Sequence, residues 1–228
     1  MTIKKDQATG QSRRKILILD DHPLMRLGIA RLLAQEPDLA VGGEVGSPSD
    51  ALAAVKTLKP HLVLADLSMP GGEGLEFIKD MRTYHPEVAV LVVSMHDEAL
   101  FAERALRAGA RGYIMKSEGG EKLVGAIRQV LQGRTYVSES LAGKILEVFS
   151  GRRRRADDTT SGKLTDREFE VFQLVGQGLT TSEIGARLRL GAKTVETHRL
   201  HIRKKLHLKT GPGLIKYAVR WAATRELI

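Results

Sequence analysis

The stretch ILILDDHP, residues 16–23, places four apolar residues directly before two carboxylates, Asp20 and Asp21. A second stretch, VLADLSMPG at residues 63–71, repeats the arrangement with a single carboxylate, Asp66. Continuous apolar runs of this length are typical of strands that are buried on both faces of a parallel sheet. Both stretches therefore predict a buried strand that ends in acidic side chains.

Short β-rich runs alternate with segments of helical spacing through the first part of the chain. The predicted strands are Lys15–Asp20, Ala40–Val45, Leu62–Asp66, Val88–Ser94 and Gly112–Met115. The predicted helices are Pro23–Gln35, Ser49–Leu58, Leu75–Tyr84, Glu98–Ala108 and Glu121–Leu131. Strands alternating with helices of this length indicate right-handed βαβ units. We therefore predict an α/β doubly wound, flavodoxin-like domain with five parallel strands.

The alternation stops after Gly133, and the rest of the chain has a different pattern. SESLAGKILEVFS predicts one more helix, and the four arginines and polar turn formers of GRRRRADDTTSGK predict a flexible linker. The predicted organisation is a disordered leader at residues 1–13, a doubly wound domain at 14–135, a linker helix with a basic linker at 136–162 and a helical domain at 163–228.

Four short helices are predicted after the linker, and no strand. Two capping boxes, Thr165–Glu168 and Thr180–Glu183, open the first two of these helices. The third helix runs from about Ala192 to Leu206, and the fourth starts after the GPG of residues 211–213. Together they predict a compact all-α domain.

Charge and composition narrow the class of protein. The net charge is +9, yet residues 1–150 hold 19 basic and 19 acidic residues, so residues 151–228, with 17 basic and 8 acidic, carry the entire excess. Such an asymmetry points to an acidic partner, most often nucleic acid. The chain has no cysteine, no apolar run of membrane-spanning length and no apolar leader of the signal-peptide type. We therefore expect a cytoplasmic protein without a membrane partner.

The carboxylates at the strand ends form the first candidate site. In doubly wound sheets ligands bind beyond the carboxyl ends of the strands, where the strand order switches. Asp20 and Asp21 end the first predicted strand and Asp66 ends the third, which is its neighbour in this topology. Three converging carboxylates repel one another unless a cation or a proton joins them. Oxygen ligands in a small site favour Mg²⁺.

Two further strand ends add polar groups to this site. Ser94 ends the fourth strand with a hydroxyl, and Lys116 follows the fifth with an ammonium. A carboxylate nucleophile, a metal ion, a hydroxyl and an ammonium together suit phosphoryl transfer to the carboxylate. Each residue alone has an ordinary explanation, as a helix cap for Asp21 or Ser94, a turn residue for Asp66 and a solvated charge for Lys116. The coincidence at four strand ends favours the functional interpretation.

The third helix of the basic part, AKTVETHRLHIRKKL, has one apolar and one basic face. Val195, Ile202 and Leu206 share one side at 100° per residue, with His198 and Arg199 at its edges. The other side presents Lys193, Thr197, Leu200 and Lys204, flanked by Glu196, His201 and Arg203. With the preceding helix, Thr181–Leu188, and a tight turn, this pattern predicts a helix-turn-helix that reads the major groove of DNA.

Ordinary explanations remain open for this helix as well. A basic face is often only solvated, although the capping boxes, the turn and the charge excess agree with DNA binding. Leu200 suits a thymine methyl group, and an exposed leucine without a role is nearly as common. Glu196 either accepts from a cytosine amino group or pairs with Arg199 or Arg203 along the helix.

The first part of the chain resembles the receiver domain of two-component response regulators over about residues 14–135. The likeness rests on ILILDDHP, VLADLSMPGGEGLE, VLVVSMHDE and GARGYIMKS. It implies that Asp66 accepts a phosphoryl group from a sensor histidine kinase. It also implies that Mg²⁺ is held by Asp20, Asp21, Asp66 and the backbone carbonyl of Ser68.

The same resemblance assigns the remaining strand-end residues. It implies that Ser94 and Lys116 bind the phosphoryl group and that Tyr113 is the aromatic residue that changes rotamer when the hydroxyl moves. The chain departs from many receivers at Ser117, where they have proline.

The basic part, LTDREFEVFQLVGQGLTTSEIGARLRLGAKTVETHRLHIRKKL, is similar to the LuxR-type helix-turn-helix, so the chain as a whole resembles the NarL/FixJ family. The likeness implies that Glu196, Thr197 and Leu200 face base edges. Its candidates for phosphate contacts are Lys193, Arg199, Arg203 and Lys204. Glycine replaces the usual helix-capping serine at 191 and the usual alanine at 185, and Gly185 is expected to weaken its helix somewhat.

The resemblance implies a DNA-binding transcriptional response regulator that is activated by phosphorylation. It implies no enzyme that turns over a separate substrate. Autodephosphorylation of the receiver remains an open alternative. The implied partners are a sensor histidine kinase, double-stranded promoter DNA and a second copy of the chain, joined through the last helix (about Leu214–Thr224) when phosphorylated. RNA polymerase is a further candidate.

Two other classes of protein fit the sequence less well than a response regulator does. A magnesium-dependent phosphatase with an aspartyl intermediate would carry a second acid two residues after the nucleophile, where this chain has Ser68. A constitutive DNA binder with a silent receiver would not need the complete set of strand-end residues.

Overall fold

A parallel sheet interleaved with helices forms the first part of the protein in the structure, which is a computed structural model. The structure describes residues 13–69, 74–95, 98–139, 141–143 and 163–226. Nearly all of the predicted leader and most of the predicted linker therefore lie outside the described residues. The chain divides into two compact units, with the division after Leu141.

Strands and helices alternate through the first unit, as the sequence predicts. Their bounds are β1 Arg14–Leu19, α1 Pro23–Ala34, β2 Leu39–Val45, α2 Pro48–Leu58, β3 Leu62–Ala65, α3 Gly74–Tyr84, β4 Ala89–Ser94, α4 Glu98–Ala108, β5 Gly112–Met115 and α5 Gly120–Leu131. All strand pairs are parallel, and the order across the sheet is β2-β1-β3-β4-β5. The predicted doubly wound fold is confirmed, and the order reverses next to β1 and β3, where such sheets bind their ligands.

The central strands are buried on both faces, which explains their continuous apolar sequence. Ile16 and Ile18 of β1 pack with Leu33 of α1 and Ile127 of α5 on one side of the sheet. The intervening residue Leu17 is equally buried. At about 25 cal/mol per Å² of buried apolar surface, the burial of these strands stabilises the unit.

Four helices lie within residues 163–226 of the second unit, as predicted for this stretch. They are α6 Asp166–Gly176, α7 Thr181–Leu188, α8 Ala192–Lys205 and α9 Gly211–Glu226. Both predicted capping boxes are present, since Thr165 and Glu168 at α6 and Thr180 and Glu183 at α7 bond each other's backbone N–H groups. The apolar contacts among these helices centre on Trp221, which packs edge-on against Phe169 at 5.5 Å and Phe172 at 5.2 Å between ring centroids.

The last helix starts earlier than the sequence analysis predicts. It begins at Gly211 and includes Pro212 and Gly213, instead of starting after them. The side chain of Thr210 explains the earlier start, because its Oγ1 accepts a hydrogen bond from the N–H of Gly213 at 3.1 Å. Proline is tolerated in the first turn, where its missing N–H would have no partner within the helix.

No helix within the described part of the chain is long and apolar enough to span a lipid bilayer.

Candidate functional site

Asp20 and Asp66 come together because they follow directly after two neighbouring strands. Leu19 of β1 lies opposite Ala65 of β3 in the parallel register, and the N–H of Asp66 donates to the carbonyl oxygen of Leu19 at 2.8 Å. Each carboxylate residue is 2% exposed. Two acidic side chains are therefore held next to each other at the carboxyl edge of the sheet, shielded from bulk water.

Lys116 joins these two carboxylates. Its Nζ lies 2.7 Å from Oδ2 of Asp20 and 2.8 Å from Oδ2 of Asp66, and its side chain is almost fully buried. Burial by itself would lower the pKa of this ammonium, but the charges and hydrogen bonds of Asp66 and Asp20 outweigh it, so the pKa is raised. Lys116 is therefore a fixed positive charge between the two carboxylates at all physiological pH values.

Asp21 and His22 extend the cluster toward solvent. Nδ1 of His22 lies 2.8 Å from Oδ1 of Asp21 and 3.1 Å from Oδ1 of Asp20. Ligand atoms of Asp20, Asp21, His22 and Asp66 all fall within 4.8 Å of one another. Carboxylate oxygens are the donors that a small, hard divalent cation prefers, and one ammonium offsets only one of the three carboxylate charges. The donor set therefore fits Mg²⁺.

Two residues of this region were missed by the sequence analysis. His22 joins the carboxylate cluster, and Arg26 of α1 donates from its guanidinium to the backbone carbonyl of Asp20. Arg26 lies six residues after Asp20, on the first turns of the helix that the acidic loop opens. That spacing places Arg26 near the acidic loop and could have indicated the contact. The spacing alone does not show whether the guanidinium points toward the loop or into solvent.

The structure also gives the positions of three further predicted site residues, Ser68, Ser94 and Tyr113. The N–H of Ser68 donates to Oδ1 of Asp66 at 3.0 Å, which fixes the orientation of the carboxylate. Ser94 is the last residue of β4 and is fully buried. Tyr113 lies opposite Val92 in the β4–β5 register and is fully buried as well. Both residues thus lie inside the unit, Ser94 on β4, which is next to β3, and Tyr113 on β5, the strand beyond it.

A tight turn in the second unit connects α7 to α8. Arg189 adopts a left-handed conformation with φ of 54°, and the N–H of Leu190 donates to the carbonyl of Gly185 at 2.8 Å. A Cβ atom on Gly185 would lie 2.7 Å from the carbonyl oxygen of Leu190. Glycine at 185 therefore permits this close approach, which a residue with a Cβ atom would obstruct.

The two faces of α8 are as the sequence predicts. Val195 and Ile202 are fully buried against the rest of the unit. The opposite side is exposed and consists of Lys193, Thr197, Leu200 and Lys204. The helix therefore presents a basic surface with one protruding leucine, which is 40% exposed.

Glu196 and Arg199 form a cluster with a residue of the preceding helix. Oγ1 of Thr181 donates to Oε1 of Glu196 at 2.5 Å and accepts from Nη1 of Arg199 at 2.7 Å. Nη1 of Arg199 also lies 3.5 Å from Oε1 of Glu196, which is the pairing along the helix that the sequence left open. The hydrogen bond to Thr181 lets Arg199 hold α7 against α8. The side chain is only 16% exposed and therefore offers little surface to a phosphate.

The capping residue of α6 also anchors α8. Oε2 of Glu168 accepts from Nζ of Lys205 at 2.6 Å as well as from the N–H of Thr165. Burial favours the neutral form of Glu168, but these bonds outweigh it and lower the pKa of its carboxyl group. Arg167 donates to the carbonyl of Leu188 at 2.7 Å and so satisfies the end of α7. These contacts fix the orientation of α8 relative to α6 and α7.

Comparison with known proteins agrees with both units. The family model described as the response regulator receiver domain matches residues 16–128, and the model of the luxR family of bacterial regulatory proteins matches residues 162–218. The oxygen regulatory protein NreC of Staphylococcus haemolyticus (strain JCSC1435) is 35% identical over 210 residues, which cover 90% of this chain and 97% of NreC.

Solved structures resemble the chain over nearly its whole length. One is RcsB from Salmonella enterica serovar Typhimurium bound to promoter rprA in the presence of the phosphomimetic BeF3⁻, with a TM-score of 0.59, 25% identity and coverage of 91% of this chain and 99% of RcsB. Another contains two RcsB dimers bound to two parallel DNAs, with a TM-score of 0.55, 26% identity and coverage of 90% and 98%.

A receiver unit followed by a helix-turn-helix unit defines a two-component response regulator with a LuxR-type DNA-binding domain. The chain belongs to the NarL/FixJ family of response regulators.

Proposed function

We propose that Asp66 accepts a phosphoryl group from a sensor histidine kinase and that this modification controls the binding of promoter DNA by α8. The observation that carries the proposal is the contact of Lys116 with both Asp20 and Asp66 inside a buried acidic cluster. An ammonium so placed neutralises anionic oxygens that approach Asp66. Transcriptional control by phosphorylation is the function that this site and the DNA-binding unit together support best.

Phosphoryl transfer to Asp66 needs no further protein nucleophile. A carboxylate oxygen of Asp66 attacks phosphorus, the bond from phosphorus to the kinase histidine nitrogen breaks, and the leaving nitrogen keeps the electron pair. Lys116 stays protonated throughout and offsets charge on the phosphoryl oxygens. When bound by Asp20, Asp21, Asp66 and the Ser68 carbonyl, Mg²⁺ would supply the additional positive charge that the transferring group requires.

A change at Ser94 and Tyr113 is the proposed link to the rest of the protein. The phosphoryl group adds charge and acceptor oxygens, toward which the Ser94 hydroxyl can donate. Tyr113 would then shift with Ser94, because both belong to the β4–β5 edge of the sheet. The modification thus biases an equilibrium between two arrangements of the receiver.

DNA contact is assigned to the exposed side of α8. We assign base edges to Glu196, Thr197 and Leu200. Phosphate contacts are assigned to Lys193, Arg203 and Lys204. Arg199 was a further candidate, and its buried contact with Thr181 supports a role in positioning α8 instead. Two copies of the unit on one DNA, as in the RcsB dimers, would read two half-sites.

Mg²⁺ should stabilise the protein through the carboxylate cluster. We expect the midpoint of thermal unfolding of the receiver unit to rise by about 5–10 °C at Mg²⁺ near 100 times its Kd, since binding then contributes about 2.7 kcal/mol. Asp21→Asn should reduce the rise, and Asp80→Asn, outside the cluster, should leave it intact. Scanning fluorimetry with and without a chelator measures this. Equal shifts in wild type and Asp21→Asn would contradict the assignment of Asp21.

The proposed switch predicts a phosphorylation-dependent affinity for DNA. A duplex selected from a random pool by acetyl phosphate-treated protein serves as the probe, at one fixed salt concentration with Mg²⁺. We expect acetyl phosphate to tighten binding by wild type about tenfold, within the usual range of coupling between sites, and to leave Asp66→Asn unchanged. If both proteins bind equally with and without acetyl phosphate, the DNA-binding unit functions without control by Asp66.

A further inference from the structure

A second cavity lies at the amino-terminal edge of the receiver sheet, opposite the edge that carries Asp66. Its volume is about 810 Å³. The first residues of β1 and β4, the residues just before β3 and β5, and the last turns of α2 and α5 line it. Cavities of 300–1,000 Å³ are typical of small-molecule sites.

The inner wall of this cavity is apolar. Val55 of α2 and Val130 of α5 are each 2% exposed, and Val88 is 7% exposed. Because these valines expose almost nothing, the apolar surface open to a ligand comes from Leu131, which is half-buried, and from Pro86, which is exposed.

The rim of the cavity is strongly basic. Four permanent cations line it, namely Arg14, Lys56, Lys59 and Arg111. Within the described part of the chain, none of the four has a carboxylate oxygen within 4.0 Å. Glu87 is the one acidic residue among the lining residues. The rim therefore carries a net positive charge, which favours the binding of an anion.

Two histidines add polar groups to the cavity. Nδ1 of His61 accepts from the N–H of Lys15 at 3.0 Å, so the proton of the neutral ring resides on Nε2, which can donate. Nε2 of His85 is buried and has no hydrogen-bond partner among the described residues. On the other side of that ring, Nδ1 lies 3.7 Å from Oε1 of Glu87. Because this nitrogen faces a carboxylate, it carries the proton of the neutral ring and leaves Nε2 of His85 as an acceptor. The donors of the cavity are therefore Nε2 of His61 and the basic side chains of the rim.

Lys59 occupies a position where its backbone is strained. It ends α2 in the left-handed conformation, with φ of 46° and ψ of 61°, a region that favours glycine or asparagine. The chain thus keeps a charged side chain at the rim where glycine would be more stable. Strain retained at a cavity rim is a common mark of function.

We propose that this cavity binds a small organic anion, with its apolar body against Leu131 and Pro86 and its carboxylate, sulfonate or phosphate group among the basic residues of the rim. The volume, the apolar wall and the excess of donors over acceptors support this chemistry together. Such a ligand would give the receiver a second input, separate from phosphorylation of Asp66.

Calorimetric titration of the full chain without Mg²⁺ tests the proposal with three probes. They are 1-naphthalenesulfonate, which has an apolar body and an anionic group, 2-naphthol, which is neutral, and sulfate, which has no apolar body. We expect 1-naphthalenesulfonate to bind at least tenfold more tightly than the other two probes. If sulfate binds as tightly as 1-naphthalenesulfonate, the site binds anions in general. If 2-naphthol binds as tightly, charge does not contribute to binding. Either result overturns the proposal.

Lys59→Gly separates binding from folding. The glycine relieves backbone strain, so we expect the midpoint of thermal unfolding to rise by roughly 1–4 °C while the affinity for 1-naphthalenesulfonate falls roughly three- to tenfold. Arg111→Gln should weaken binding similarly. Lys79→Gln removes a charge that is paired with Glu76 on α3, outside the cavity, and should bind as wild type does.

Two further outcomes test the place and the identity of the ligand. Unchanged affinity in both Lys59→Gly and Arg111→Gln would overturn the proposal, because the cavity would not be the site of binding. Hexaglutamate serves as a further probe. If the wild type binds hexaglutamate and not 1-naphthalenesulfonate, and both variants lose that binding, the proposal is overturned and the cavity is a site for acidic peptides.

Discussion

Asp66→Asn should lower phosphoryl transfer from acetyl phosphate to the protein by more than roughly 10³-fold, to the background level. The amide cannot act as the nucleophile, whereas the carboxylate of Asp66 is oriented by the Ser68 N–H and contacts Lys116. The substitution preserves the size of the side chain and leaves the contact between Lys116 and Asp20. We therefore expect the variant to fold and to lose only the acceptor. Intact-mass spectrometry measures the gain of one phosphoryl group.

Asp80→Asn is the matched control for this measurement. It makes the same chemical change on α3, away from the carboxylate cluster, and should be phosphorylated as wild type is. Full labelling of Asp66→Asn would show that another residue accepts the phosphoryl group. Loss of labelling in both variants would point to a general effect of the substitution on the receiver.

DNA affinity should fall about 10³-fold between 50 and 200 mM salt. Three phosphate contacts per unit, by Lys193, Arg203 and Lys204, give about six on a DNA that carries two units. The logarithm of affinity then falls with the logarithm of salt concentration with a slope of about −5, because each neutralised phosphate releases condensed counterions. Fluorescence anisotropy with the selected duplex measures the slope across a salt series.

A double variant tests which lysines produce this slope. Lys193→Gln with Lys204→Gln removes four of the six contacts, so we expect the slope to become less steep by about 4. Lys79→Gln with Lys122→Gln removes the same charge from the receiver and should leave the slope unchanged. A flat salt dependence in wild type would contradict the phosphate contacts, and equal slopes for the two double variants would contradict their assignment to α8.

The sequence predicts the receiver sheet well because its strands are buried on both faces. Such strands must be apolar throughout, as in ILIL, and each carboxylate that follows one stands out at the edge of the sheet. The parallel topology then brings Asp20 and Asp66 together without any knowledge of side-chain contacts. The capping boxes at Thr165 and Thr180 were predictable for a similar reason, since they depend on residues only three positions apart.

Features that depend on contacts between distant residues were not predictable. Arg199 lies at the edge of the apolar stripe of α8, and only Thr181 on the neighbouring helix shows which way its side chain turns. By contrast, the start of α9 depends on a local contact, since Thr210 lies only three residues before Gly213. It was missed because Gly-Pro-Gly indicates a helix break more strongly than a single capping hydroxyl indicates a start. The basic cavity combines residues of β1 and β4, residues just before β3 and β5, and the ends of α2 and α5, and no local pattern connects them.

The contact of Lys116 with both carboxylates also has a practical consequence for handling the protein. Since the ammonium already compensates part of the acidic charge, purification in the presence of a chelator should yield a folded receiver and not an unfolded one. Depletion of Mg²⁺ in a cell would accordingly leave a pool of intact protein that cannot be modified efficiently. That pool would regain competence as soon as the ion returned, without new synthesis or refolding.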